Sequence, residues 1–247
     1  MNVQTILPFA STIIMVVFTV SVLQRYVARG RLHFLFWGIG LAMFGAGSFA
    51  EAYFAAVGWS APVFFVWYLF GAALNAGWIG HGTLLLLARR RWVHLLTAAL
   101  VAGSLVAAFL MLQIMPRLDT ASFDPSLPIS EQYRSIMPAI SDGAAVRLTT
   151  PFFNIYGLIT LVGGALYSTA LFLRKQVLPN RVLGNVLIAA GALSIGLAST
   201  ATRLGYGQYL YLGELVAAVL MYAGFRAASA PATEAERILA AETAAAG

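Results

Sequence analysis

Apolar positions along this chain do not alternate with polar ones; they gather in seven long blocks separated by short polar punctuation. The blocks run from Thr5 to Gln24, His33 to Val57, Pro62 to Leu87, Val93 to Met115, Phe152 to Leu173, Val182 to Thr202 and Gln208 to Phe225. A helix needs about 20 residues, rising about 1.5 Å each, to cross about 30 Å of hydrocarbon, so each block predicts one crossing. A lipid-facing barrel would instead show ten-residue segments of alternating hydrophobicity, and continuous blocks exclude it. The predicted fold is all-α: a polytopic membrane protein built as a seven-transmembrane-helix bundle over residues 1–228, with a short tail over 229–247.

The basic residues orient the bundle, because Lys and Arg near helix ends stay on the cytoplasmic side. Eleven of them, Arg25, Arg29, Arg31, Arg89, Arg90, Arg91, Arg174, Lys175, Arg181, Arg226 and Arg237, fall on one side. Four, Arg117, Arg134, Arg147 and Arg203, fall on the other, three of them in one long loop. The expected topology is a multi-pass protein of the plasma (inner) membrane with its N-terminus outside and its C-terminus cytoplasmic. The first apolar block is followed, not preceded, by arginines, the reverse of a secretion signal, so it reads as a retained helix.

Composition supports lipid as the solvent: 60% of residues are hydrophobic, only 10% are charged, and too little polar surface remains to coat a water-soluble globule. The net charge of +6 sits in short runs between apolar blocks and reads as a topology signal, with no nucleic acid as partner. Without cysteine there is no disulfide, thiolate metal site or thiol nucleophile. The proline-containing segment 116–151 reads as an outer connector or lid. In the tail, Thr233 followed by Glu236 has a capping-box spacing that predicts a short helix. An internal echo suggests a 3+1+3 pseudo-repeat. Pro8-Phe9 opens the first helix as Pro151-Phe152 opens the fifth; Gly58-Trp59 and Gly205-Tyr206 close the second and sixth; Tyr68-Leu69 and Tyr211-Leu212 begin the third and seventh. Trp59, Trp67, Tyr206, Tyr209 and Trp92 are expected in interfacial aromatic belts.

Ionisable groups inside a bilayer are costly, which makes the few present here the candidate site. They are Glu51, His81 and Glu214, with Arg203 at the outer end of the sixth helix and Asn75 near His81. Glu51 lies six residues from Val57 and Glu214 six from Gln208, each roughly 9 Å deep. His81, nineteen residues beyond Pro62, is roughly 28 Å deep, so it cannot join the glutamates around one metal ion, and no metal or cofactor is expected. Arg203 is expected to reach Glu51 or Glu214. A lone His81 is expected to bond a neighbouring helix. The Gly38, Gly40, Gly45 and Gly47 series, with Gly163, Gly164, Gly191 and Gly196, reads as helix-packing surface.

The helix count with an external N-terminus resembles the microbial rhodopsins, whose retinal is carried by a lysine in the seventh helix. The only lysine here, Lys175, lies in a loop, so that chemistry is excluded. The 3+1+3 echo resembles PQ-loop and SWEET-type transporters in architecture, but Phe follows Pro8 and Pro151 where that motif has Gln. No catalytic constellation appears at matched depth, so an enzyme is not expected. The expected function is a carrier or channel for a small solute or proton. The alternative is a non-transporting sensor or assembly subunit acting through a membrane protein partner or a second copy.

Overall fold

Inside a bilayer the backbone must satisfy its own polar groups, so each apolar block closes into a helix and the ladder breaks only where glycine, proline or charge reaches water. A computed structural model describes residues 3–88, 91–174 and 179–230, with the backbone alone at Val3, Gln4, Pro179, Arg203 and Gln208. Among the described residues, seven spans are long and apolar enough to cross a membrane. They are α1 (Val3–Arg29), α2 (Leu32–Ala56), a third span made of α3 (Ala61–Val66), a π-helical stretch (Trp67–Leu74) and α4 (Asn75–Leu87), then α5 (Trp92–Ile114), α7 (Val146–Arg174), α8 (Pro179–Arg203) and α9 (Leu210–Ala228). The short helix α6 (Ile129–Ile136) lies between α5 and α7. The chain is thus an all-α seven-helix bundle, and no strand occurs among the described residues. Arg89, Arg90, Lys175, Arg237 and the Thr233–Glu236 motif lie outside the described residues.

The largest departure from the sequence reading is α7, which begins at Val146 and carries Pro151 inside it. A proline early in a helix removes only one bond of a ladder that has barely started. The first turn is held instead by packing: Ala144 and Val146 are fully buried beneath the segment before them.

Packing follows the ring order α1, α2, third span, α7, α8, α9 and back to α1, with α5 outside the ring against α4 and α7. Exchanging the first three spans for the last three maps this ring onto itself. The sequence echoes fall at matching places: Gly58 (φ 104°) and Gly205 (φ 91°) both turn the chain in the left-handed region, where a side chain would strain the backbone. Tyr68 and Tyr211 are both buried.

Within α2 the glycines sort by heptad. A Cβ at Gly38 or Gly45 would meet Leu23 or Met15 of α1, and one at Gly40 or Gly47 would meet Ile79 or Gly71 of the third span. Two seven-residue pairs therefore seat α2 against both neighbours, on side chains of α1 and on the backbone of the third span. Gly164 and Gly191 also pack closely, but Gly163 and Gly196 face open space, contrary to expectation.

Of the two ends of the bundle, one carries the N-terminus, the turns at 57–60 and 204–209, and segment 115–145; we call it the loop face. The other carries the arginines of the short turns and is called the arginine face. Between them lies an apolar layer formed by Met15, Leu41, Phe44, Ile79, Leu161 and Ala217.

Candidate functional site

The site forms where α2, the π-helical stretch and α9 converge beneath the loop face. Glu51 is one turn beyond Gly47 on α2, and Trp67 one turn before Gly71, so the Gly47–Gly71 approach brings these two side chains together. The Trp67 Nε1–H donates to Glu51 Oε1 at 3.0 Å. Trp67 is consequently buried and does not sit in an interfacial belt as the sequence suggested, because its indole N–H has a buried acceptor. Tyr206, Tyr209 and Trp92 are exposed, as a belt requires.

Glu214, on α9, is the near neighbour of Glu51 across the helix interface. As two carboxylates they would repel, and Oε2 of each is buried with no hydrogen-bond partner among the described residues. Glu51 and Glu214, which the sequence placed at one depth, are thus neighbours. The Arg203 side chain lies outside the described residues.

Segment 115–145 caps this pair. Its α6 sets Ile129, Gln132 and Ile136 inward, all buried, and its Tyr133 ring lies 5.8 Å from Trp67 and 6.1 Å from Tyr68. The Gln132 amide ties the segment together, accepting from the Asp124 amide at 2.7 Å and donating to the carbonyls of Asp124 and Leu127, each at 2.8 Å. Tyr211 of α9 stands beside the Ile129 backbone amide and near Glu51, Glu214 and Glu131. The Glu131 carboxylate covers Gly207, where no side chain would fit. Glu51, Glu214 and the exposed Glu131 are thus all neighbours of Tyr211, with the Tyr133 ring over Trp67 and Tyr68.

The chain matches no family model, no characterised protein sequence and no solved structure. Its chemistry must therefore be read from its own side chains.

Below the pair, Ser48 Oγ on α2 and Thr19 Oγ1 on α1 are also buried without hydrogen-bond partners among the described residues. Met15 lies against Gly45, so Thr19 sits deeper than Ser48. His81 takes a different set of partners: Nδ1 meets Tyr156 Oη at 2.6 Å, Nε2 meets Thr97 Oγ1 at 2.8 Å, and Phe36 lies 5.0 Å away. It ties the third span to α5 and α7, on the far side of the apolar layer from the glutamates. Asn75 donates to the Gly71 carbonyl at 2.7 Å, and Asn154 of α7 to the Ala72 carbonyl at 3.1 Å. A π-helical stretch disturbs the regular ladder, and these two amides serve carbonyls within it. Sequence spacing gave no signal for the roles of Trp67 and Tyr156, because aromatic residues in a membrane helix point to lipid, core or site alike, whereas the polar Asn154 and Thr97 were a signal left unread.

Proposed function

We propose that the protein is a carrier for a proton or a small cationic solute, with Glu51 and Glu214 as the binding pair. The observation that carries this reading is the approach of the half-buried Glu214 to the buried Glu51, each with a buried Oε2 unpaired among the described residues. A proton held between them turns repulsion into a donor–acceptor contact, and a small cation would do the same by charge. The cap over the loop face and the apolar layer beneath enclose the pair from both directions, the arrangement expected of an alternating-access carrier in an occluded state. The unpartnered hydroxyls of Ser48 and Thr19 supply polar stations on the way down. In this reading the arginine face is cytoplasmic and the loop face external, in the plasma (inner) membrane, following the distribution of basic residues.

The same apolar layer, with no ionisable residue in it, also suits a permanently sealed bundle that acts as a sensor or assembly subunit. Liposomes containing the purified protein and an internal pH dye separate the two. The carrier reading expects flux driven by a pH or cation gradient that Glu51→Gln and Glu214→Gln each abolish. Wild-type flux no greater than that of empty liposomes rejects transport of the ion tested, and unchanged flux in both variants rejects the pair as its site.

A further inference from the structure

At the arginine face the ring closes where the last turn of α1 meets the last turn of α9. Between them opens a cleft of about 550 Å³, lined by Ser21, Gln24, Arg25, Arg29, Phe225, Arg226, Ser229 and two alanines. No acidic side chain lines it among the described residues. The charges of Arg29 and Arg226 both bear on Arg25, so three guanidinium groups crowd one opening. Arg25 is held in place rather than extended into solvent: its Nη1 donates to Ser229 Oγ at 2.5 Å, and its guanidinium lies 4.5 Å above the Phe225 ring. Arginine forks of this kind match phosphate oxygens, and like-charged neighbours without an anion are unfavourable.

We propose that this cleft binds the phosphate headgroup of an anionic phospholipid. The walls argue for a lipid over a free anion. One helical turn before Ser21, on the same face of α1, Val17 is 46% exposed, and Val219, two turns before Arg226 on α9, is likewise 46% exposed. Headgroup donors thus lie at the helix ends, where a membrane surface belongs, and apolar side chains continue along both helices into the span, where acyl chains belong. The site is remote from the carboxyl pair and stands whether or not the protein transports anything.

The test is the thermal midpoint of the full-length protein in a neutral detergent, titrated with phosphatidylglycerol, with phosphatidylcholine of the same chains, or with inorganic phosphate. Only phosphatidylglycerol should raise the midpoint of the wild type, and equally that of Arg134→Gln, which removes the same charge from the loop face. In Arg25→Gln/Arg226→Gln the titration should move to roughly thirtyfold higher phosphatidylglycerol, two charges being lost near the membrane surface. Because Arg25 also packs on Phe225, the fold of that variant is checked in phosphatidylcholine. The exposed Arg29→Gln gives a second measure, a weakening of roughly fivefold. An equal response to phosphatidylcholine, or unweakened titration in both arginine variants, overturns the proposal. A full shift with inorganic phosphate alone overturns the lipid as occupant and leaves a soluble phosphate site.

Discussion

Replacing Gly47 by alanine tests the contact on which the site is built. The added Cβ would lie 2.5 Å from the Gly71 Cα, backbone against backbone, where carbon atoms need about 3.5–4.0 Å. No rotamer change can relieve it, so α2 and the π-helical stretch must part by about 1 Å. Glu51 and Trp67 sit one turn away on the same two helices, and their 3.0 Å hydrogen bond would stretch beyond bonding range. Overpacking costs about 1–3 kcal/mol and leaving a buried carboxyl oxygen unpaired about 1–3 more, against a helix-propensity gain of up to about 1. The expected net loss is therefore about 3 kcal/mol. Two controls calibrate it. Gly38→Ala meets only the Leu23 side chain, Cγ included, which can move to another rotamer at a cost of about 0.5–1.5 kcal/mol. Gly163→Ala meets nothing within 4 Å and should be neutral or stabilising by about 0.5–1 kcal/mol. Unfolding of the three variants in mixed micelles, followed by tryptophan fluorescence, gives the order directly. If Gly47→Ala falls within about 0.5 kcal/mol of Gly163→Ala, the close approach and the site geometry derived from it are wrong.

Three further outcomes follow from other parts of the molecule. His81→Phe should cost roughly 1–2 kcal/mol in the same unfolding assay, since two interhelical hydrogen bonds averaging about 0.6 kcal/mol are lost and two hydroxyls are left facing a ring; no loss would mean that those bonds contribute nothing. Bonds from Ser122 and Ser126, each led by the side-chain hydroxyl, hold the Asp119 and Asp124 carboxyls below their ordinary value of 3.8. Their contribution is present at neutral pH and is lost as pH falls below 3.8, so protection of the Ala121 and Ser126 amides against hydrogen exchange should drop on acidification and stay flat in the Asp→Asn variants. A reporter fused after Ala230 should be active in the cytoplasm and one inserted at Asp124 outside; the reverse pattern would invert the proposed orientation.

What the sequence made legible was depth. Counting 1.5 Å per residue from each helix end set Glu51 and Glu214 at one level and His81 far from both, but it pointed to Arg203 as their partner and not to each other. What it could not supply was direction around each helix axis. Apolar residues cover every face of a membrane helix, so no hydrophobic stripe distinguishes the lipid side from the interior. Trp67 reads as a belt residue until the π-helical stretch and the Gly47–Gly71 contact turn it onto Glu51. Segment 115–145 carried proline and acidic signals of a loop, while the docking of Ile129, Gln132 and Ile136 depends on aromatic partners far away in the chain. The heptad spacing of the α2 glycines was on the page, but which pair faced which neighbour became clear only from the ring order.

The π-helical stretch has a mechanical consequence. A π turn takes up nearly one residue more than an α turn, so it acts as stored slack in the third span and sets the angular phase between Trp67 at its start and His81 below. If the stretch tightened to α geometry, the two halves would rotate against each other, taking the Trp67 indole off Glu51 while His81 stayed fastened to α5 and α7. The Glu51–Trp67 contact would then open through a local rewinding of one helix, with the rest of the ring standing still.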